Sequence, residues 1–310
     1  MESVKISRTS LHKVGERLWN GRYCYLMLLP VMANFIVFHY WPMFGLQIAF
    51  KSYNAALGIT GSPWIGFENF TKFFTGIYFW PLLRNTLVIS LYCIGFGFPA
   101  PILLALLLNE AKNQTYKRFV QTVSYMPYFL STVVIVSLLN LFFGAGGLFN
   151  GLITSFGGKP ILFLQSPQYF RPLFVGSLIW QWTGFDAIIY LAAITAIDLE
   201  LYEAAELDGA GRFAKIWHIT LAGIAPTIII LFILRMGGIL NISWLQALLM
   251  QNSLNTSVSD VIQTYVYKRG LVYRDYSFGA AVGMFQSIVS LIFVLGSNMI
   301  SKRQSEVSIF

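Results

Sequence analysis

The chain has 310 residues, of which 56% are hydrophobic and 11% charged, with a mean hydropathy of +0.64. Soluble domains carry about 25% charged residues, so a soluble enzyme or binding module is excluded. Several charge-free stretches reach the length of about 20 residues that crosses a bilayer core, which makes this an all-α polytopic membrane protein. The net charge of +8 is spread along the ends of apolar segments, where it orients and snorkels, so no nucleic-acid partner is implied.

Residues 1–22 form a basic arm with Lys5, Arg8, Lys13, Arg17 and Arg22 against Glu2 and Glu16. By the positive-inside rule it stays in the cytoplasm, and a short surface helix over Leu11–Trp19 is an alternative to a disordered arm. Everything after it, 23–310, reads as one membrane domain. The first span is placed at about 24–46, ending in the aromatic cluster His39-Tyr40-Trp41. An outer segment rich in Gly, Pro and aromatics follows, in which Pro63–Phe70 reads as a turn leading into a short interfacial helix.

The second span, about 85–108, contains Gly95, Gly97, Pro99 and Pro101, so a kink is expected. The third, about 119–143, has Pro127 near its start. The fourth, about 173–197, carries Asp186 near mid-depth. The fifth, about 221–250, carries Arg235 near its middle beside Gly237-Gly238, and the sixth, about 278–300, ends at Lys302-Arg303. Six spans put both termini on the cytoplasmic side with the loop 198–220. Twelve Lys and Arg fall on the inner segments and eight on the outer, with Arg235 in the membrane.

That loop is the one strongly polar segment lodged between two very apolar ones. Its first half mixes acids with good helix formers, and Asp208-Gly209-Ala210-Gly211 then invites a turn. Leu207, Ala210, Ala214 and Trp217 share a face if two short helices stack nearly in line. On charge pattern alone it is either a solvated loop or a docking surface.

No catalytic signature accompanies it. The chain has no G-x-x-x-x-G-K-[ST] phosphate loop, no H-E-x-x-H and no Cys/His spacing for a metal. Neither a catalytic site nor a metal site is expected, and the chain is not an enzyme.

Asp186 and Arg235 stand out, because a lone charge at mid-membrane costs about 2.5 kcal/mol or more. They either pair with each other or face a wet cavity. Trp182, Tyr190, Asn241, Trp244 and Gln246 are the further candidates for a solute path: indole and phenol rings stack on sugar C–H faces, while amides bond to hydroxyls. Packing and the aromatic belt are the plain alternative for each. Trp180 and Trp182 point about 200° apart on a helix, so one of them can face a cavity.

The elbow resembles the "EAA" loop of the membrane subunits of binding-protein-dependent ABC importers, whose pattern is E-A-A, three residues, G, nine residues, I-x-L-P. Here it runs Glu203-Ala204-Ala205, three residues, Gly209, nine residues, Ile219-Thr220-Leu221, with Ala222 where the family has proline and Pro226 one turn on. The resemblance extends over nearly the whole chain. Pro63–Phe70 is similar to the outer segment of maltose-type permeases, and Asp260–Tyr267 and Tyr276–Gly283 to a branch handling polysaccharide-derived oligosaccharides, including alginate- and pectin-type oligouronides. That branch leads one to expect Asn-x-Gly-Phe-Glu-Gln in span five; this chain has Asn241-Ile-Ser-Trp-Leu-Gln246, without the carboxylate.

The resemblance implies a type I ABC importer permease fold in a bacterial plasma membrane, and a path for a sugar or oligosaccharide. It implies a second homologous permease, two ATPase subunits that bind ATP and Mg, and an extracytoplasmic solute-binding protein; this chain itself holds no cofactor, and lipid surrounds it. It further implies that Glu203, Ala204, Ala205, Glu206, Asp208, Gly209, Ala210 and Arg212 dock on the ATPase, with the loop at 203–221 coupling the two. An importer for a non-sugar solute, and an ATPase-independent secondary transporter, are the alternatives. The second would show inverted repeats and half-helices around a midplane site, and the sequence displays neither.

Overall fold

The structure, a computed structural model, describes Trp19 and residues 21–305. Most of the basic arm over 1–22 and of the surface helix over Leu11–Trp19 therefore lies outside the described residues. Six helices among those described are long and apolar enough to cross a membrane: Arg22–Phe50 (α1), Phe79–Glu110 (α2), Thr132–Ser155, Pro167–Thr195 (α5), Arg212–Gly237 (α7) and Tyr276–Arg303. The third comprises α4 (Thr132–Phe143) and a short helix, Leu148–Ser155; the last belongs to α10 (Tyr276–Ser305). Between them lie α3 (Gln114–Tyr125), α6 (Leu199–Leu207), α8 (Trp244–Met250) and α9 (Ile262–Val266). A helix over Glu68–Phe74 follows the turn expected there. The described residues contain no strand beyond an isolated Lys51–Trp64 bridge.

α5 is the central post. Its buried residues include Phe170, Phe174, Ser177, Gln181, Gly184, Ala187, Leu191 and Ile194, steps of three or four that keep one face inward. It packs on α2, α3 and α7. The closest approach is at Gly184, where an added Cβ would fall on the backbone carbonyl of Ser124 in α3; only a residue without a side chain lets the two helices meet there. One core cluster joins Ile89, Val136, Phe174 and Met250, and another joins Ala105, Leu108, Tyr190, Ile194 and Ile224. Most of α1 is exposed, and its last stretch, Phe44–Phe50, packs on α10.

Proline and glycine chemistry sets the departures from straight spans. The kink expected in α2 is a π-helical turn at Cys93–Gly97, immediately before Pro99. A proline ring clashes with the carbonyl four residues back, and widening the preceding turn relieves that clash. A single third span over 119–143 is not what forms. α3 starts on Asn113, whose Oδ1 accepts from Thr115 N and Tyr116 N at 2.9 and 3.1 Å, and gives way to a 3₁₀ turn at Met126–Phe129. Pro127 stops the first helix, and Ser131 caps the next, so the crossing begins at Thr132.

Span five differs too. Its helix ends at Gly237, the chain turns through Gly238–Leu240, and α8 restarts at Trp244. Two consecutive glycines make that stretch costly to keep helical, so Arg235 sits in the last turn of α7 rather than at mid-span. A cation is favoured there by the helix dipole. The carbonyls freed by the break find side-chain donors: Ser90 Oγ donates to the Ile239 carbonyl, and Gln286 Nε2 reaches the Leu240 carbonyl at 3.5 Å. Beyond the break, Asp260 Oδ1 gathers Thr264 Oγ1 at 2.7 Å, Lys268 Nζ at 3.1 Å and Gln251 Nε2 at 3.2 Å, which ties down the segment leading to α10.

Candidate functional site

The broken end of α7 opens a cavity of about 440 Å³ against α2 and α5. Its lining includes Ser90 and Cys93 from α2, Trp182, Thr183 and Asp186 from α5, Arg235 from α7, and Asn241 and Ser243 from the break. Non-helical backbone at membrane depth survives where it lines a cavity, because its amides need partners that lipid cannot supply. A second hollow of about 270 Å³ shares Asp186 and Arg235 and adds Pro101 and Tyr190.

Trp182, Asp186, Arg235 and Asn241 are thus brought together from three separate stretches of sequence, with Tyr190 beside them. Trp180 lies outside the lining and is half exposed. Among the ion pairs of the described residues, none joins Asp186 to Arg235. Both residues line the hollow, which therefore holds a guanidinium and a carboxyl group.

Two candidates lie elsewhere. Trp244 packs on Tyr267, with ring centroids 5.2 Å apart. Gln246 is fully buried in the core and donates to Ser177 Oγ at 2.7 Å. Leu245, where the related branch carries its carboxylate, is also outside the cavity lining. The helix break moves 244–250 off the line that a continuous span would follow.

Sequence reasoning missed Thr183 and Tyr128. Thr183 Oγ1 is buried, lacks a hydrogen-bond partner and belongs to a residue lining the cavity; a hydroxyl next to Trp182 on an apolar span was the available signal. The Tyr128 ring stacks on Phe185 at 3.8 Å, nearly parallel, and meets Trp182 edge-on at 5.1 Å. It thereby sets the plane of the cavity's indole. Nothing local in the sequence pairs residue 128 with residue 182.

At the other end of α5 sits the elbow. Asp198 caps α6 by accepting from Glu200 N at 3.0 Å. α6 closes on Gly209, with φ +78°: Gly209 N donates to the Glu206 carbonyl at 3.0 Å and Ala210 N to the Ala205 carbonyl at 2.8 Å. This is a Schellman ending, which calls for a left-handed residue at that position. Apart from its two chain neighbours, no heavy atom among the described residues lies within 4 Å of where a Gly209 Cβ would stand, so the demand for glycine comes from the backbone and not from crowding. α7 begins at Arg212 and contains a π-helical turn at Ile216–Thr220, and the Tyr202 and Thr220 hydroxyls share a 2.9 Å hydrogen bond. Ala222, where the family has proline, lies inside the continuous helix, as does Pro226.

Internal pairing divides the elbow's charges. Lys215 Nζ lies 2.5 Å from Glu206 Oε1 and holds that carboxyl below the usual Glu range by hydrogen bond and charge. Arg212 pairs with the Glu110 carboxylate at the end of α2, and its NH2 donates to the Glu110 carbonyl at 3.2 Å. Glu203 and Asp208 remain exposed, with Ala204 between them and Ala205 half-buried. Leu207 at the end of α6 is 91% exposed, and Phe213 and Trp217 in the first turns of α7 are 86% and 69% exposed.

A helical membrane chain with a cavity at a broken span and an exposed elbow between its fourth and fifth spans has the form of a transporter permease. Residues 97–306 match the family described as binding-protein-dependent transport system inner membrane component, and the chain belongs to that family. It is 46% identical over 294 residues to Protein LplB of Bacillus subtilis (strain 168), covering 94% of this chain and 92% of that protein. It is 45% identical to the polygalacturonan/rhamnogalacturonan transport system permease protein YteP of the same organism, covering 100% and 97%.

Among solved structures it matches a bacterial ABC transporter involved in the import of the acidic polysaccharide alginate, at TM-score 0.88 and 39% identity, covering 94% and 99% of the two chains. A bacterial alginate ABC transporter in complex with an alginate pentasaccharide-bound periplasmic protein gives the same TM-score at 38% identity, covering 95% and 99%. The fold is that of an ABC importer permease. This is a multi-pass membrane permease subunit of a transport system.

Proposed function

We propose that this chain is one permease subunit of an ABC importer for oligosaccharides, acidic ones included, and that it walls part of their path with the cavity between α2, α5 and α7. The observation that carries this reading is the joining of Trp182, Thr183, Asp186, Arg235 and Asn241 around one hollow at a helix break. An indole gives a stacking face, a free hydroxyl and an amide match sugar hydroxyls, and a guanidinium matches a carboxylate. The names carried by YteP and by the alginate importer support a polysaccharide-derived cargo.

The elbow joins α5 directly to α7, and both wall the cavity, so a push on the elbow is delivered to the walls without an intermediary. In this reading a cytoplasmic ATPase binds Glu203, Asp208 and the exposed Leu207, Phe213 and Trp217. Two such ATPases hold ATP and Mg, and no cofactor resides in this chain. A second, homologous permease completes the path in a heterodimer, and a solute-binding protein delivers the sugar from outside. Both termini lie in the cytoplasm of a bacterium, on the side of the elbow, which agrees with the five basic residues of 1–22.

The test is uptake of a neutral and a uronate oligosaccharide by the reconstituted complex, with wild-type chain and with Arg235→Met. Both sugars enter with wild type, and the variant loses uronate uptake by about tenfold while keeping neutral uptake within about twofold, the size of one charge-assisted hydrogen bond. An equal loss for the two sugars removes the electrostatic role from Arg235. A wild-type complex that imports neither removes the cargo assignment.

A further inference from the structure

Asp186 and Arg235 line both hollows described above, but a third at the break in span five has no charged residue in its lining. Besides the cavity that holds Asp186 and Arg235, a groove of about 510 Å³ lies against α10, lined by Asn241, Gly283, Gln286, Ser287 and Ser290 among others. Asn241 lines both, so the groove continues from the cavity at a shared residue. Gly283, Gln286, Ser287 and Ser290 recur at i, i+3, i+4 and i+7, which places them on one face of α10. Leu291 and Val294 continue that face, so the groove pairs hydroxyls and an amide, which lipid tails cannot satisfy, with a short apolar end.

The hydrogen bonds already made there leave specific capacity unused. Ser287 Oγ donates to the Gly283 carbonyl at 3.0 Å and keeps its acceptor lone pairs. Asn241 Oδ1 accepts from Gln263 Nε2 at 2.7 Å, and the Asn241 amide hydrogens make no hydrogen bond among the described residues. Gln286 is 7% exposed and reaches the Leu240 carbonyl at the long distance of 3.5 Å. Donors and acceptors stand side by side, uncharged, along a groove that runs from Gly283 to Leu291 and Val294.

We propose that this groove is a second sugar subsite, neutral and hydroxyl-reading, contiguous with the charged cavity through Asn241. It rests on the oligosaccharide reading above. Vicinal sugar hydroxyls each donate one hydrogen bond and accept others, which is what Asn241, Gln286, Ser287 and Ser290 together offer. A carboxylate would find no cation among these residues, and Leu291 and Val294 at one end of the groove offer an apolar contact for the C–H face of a ring. The path then has two chemistries in series: a charged section that sorts carboxylates, and a neutral section that holds any sugar ring.

The experiment is binding of a neutral trisaccharide and of trigalacturonate to the complete complex in nanodiscs, without binding protein, read by saturation-transfer NMR. Wild type is compared with the double variant Ser287→Ala/Ser290→Ala and with Arg235→Met. Removing two surface hydroxyls keeps the helix intact, and gel filtration of the complex checks it. The double variant weakens both trisaccharides by about fivefold or more, the loss of two neutral hydrogen bonds, whereas Arg235→Met weakens trigalacturonate alone.

Unchanged affinity for both sugars in the double variant overturns the subsite. So does loss of the second permease from the complex, which would make the groove a subunit interface. Loss of bound phospholipid by mass spectrometry with sugar affinities unchanged would overturn it as well. A wild-type complex that binds neither trisaccharide overturns the oligosaccharide reading and this inference together.

Discussion

The cavity and the elbow are built in opposite ways. The elbow is contiguous: twenty residues carry its cap, its Schellman ending, its salt bridge and its exposed apolar side chains, and its shape follows from local rules. The cavity is assembled: Trp182 and Asp186 come from one helix, Arg235 from the end of another, Cys93 from a third, and Asn241 from a break. Local construction makes the elbow robust to changes elsewhere. The cavity depends on every helix contact that sets the distance between its walls.

The sharpest way to break that contrast is at Gly184. In Gly184→Leu the new side chain meets the Ser124 backbone, which cannot swing aside, so α3 and α5 must part at a cost beyond about 3 kcal/mol. The expected outcome is loss of a monodisperse species by fluorescence-detected gel filtration. A well-folded variant with unchanged uptake would show that the α3–α5 contact does not hold the cavity.

The next largest effect is at Gly209. Gly209→Val forces a β-branched residue to φ +78° at about 1–2 kcal/mol, and in the reading above it uncouples ATP hydrolysis from uptake while the protein still inserts. Gly209→Asn keeps the left-handed turn, which asparagine tolerates. If Asn restores coupling, the backbone is what matters; if Asn fails as badly as Val, the ATPase surface has no room for a side chain.

Tyr128→Leu sharpens the cavity side. Losing two ring contacts of about 0.5–1.5 kcal/mol each frees Trp182 to turn, so sugar-dependent quenching of tryptophan fluorescence weakens, and a Trp182→Phe background abolishes the difference. Quenching that Tyr128→Leu leaves unchanged would show that Tyr128 does not orient the indole.

The smallest effect is at the Glu206–Lys215 pair on the elbow. Lys215 depresses the Glu206 pKa, so this contact contributes at neutral pH, above the usual Glu value, and is lost as pH falls through the lowered value. Both side chains reach solvent, and the gain is screened. In Lys215→Ala the Glu206 carboxyl, followed by carbon-13 NMR, titrates at higher pH than in wild type; an unmoved titration would remove Lys215 as the cause.

The same contrast explains what could be read from the sequence. The spacing from Glu203 to Leu221 announced the elbow because each feature needs only near neighbours: a Gly for the turn, alanines for a thin face, apolar side chains left outside. Six apolar stretches likewise announced the membrane helices. The finer breaks were harder. Pro127 was visible, yet whether it kinks a helix or ends one depended on Ser131 standing ready to cap the next. Gly237-Gly238 was visible too, but a continuous span to 250 kept Arg235 in the middle and carried Trp244 and Gln246 into the path. Once the helix stops, Gln246 turns into the core toward Ser177, and Arg235 becomes the charged end of a helix at the cavity rim. Tyr128 and Thr183 gained meaning only when α3 and α5 closed at Gly184.

One ratio tests the division of labour directly: oligosaccharide molecules imported per ATP hydrolysed, by the complete complex in proteoliposomes supplied with its binding protein. With a neutral sugar, Arg235→Met keeps the wild-type ratio, because the elbow still transmits, while Gly209→Val drops it severalfold with hydrolysis continuing. A ratio that falls equally in both variants, or uptake that proceeds without ATP, would contradict an account in which the elbow couples and the cavity conducts.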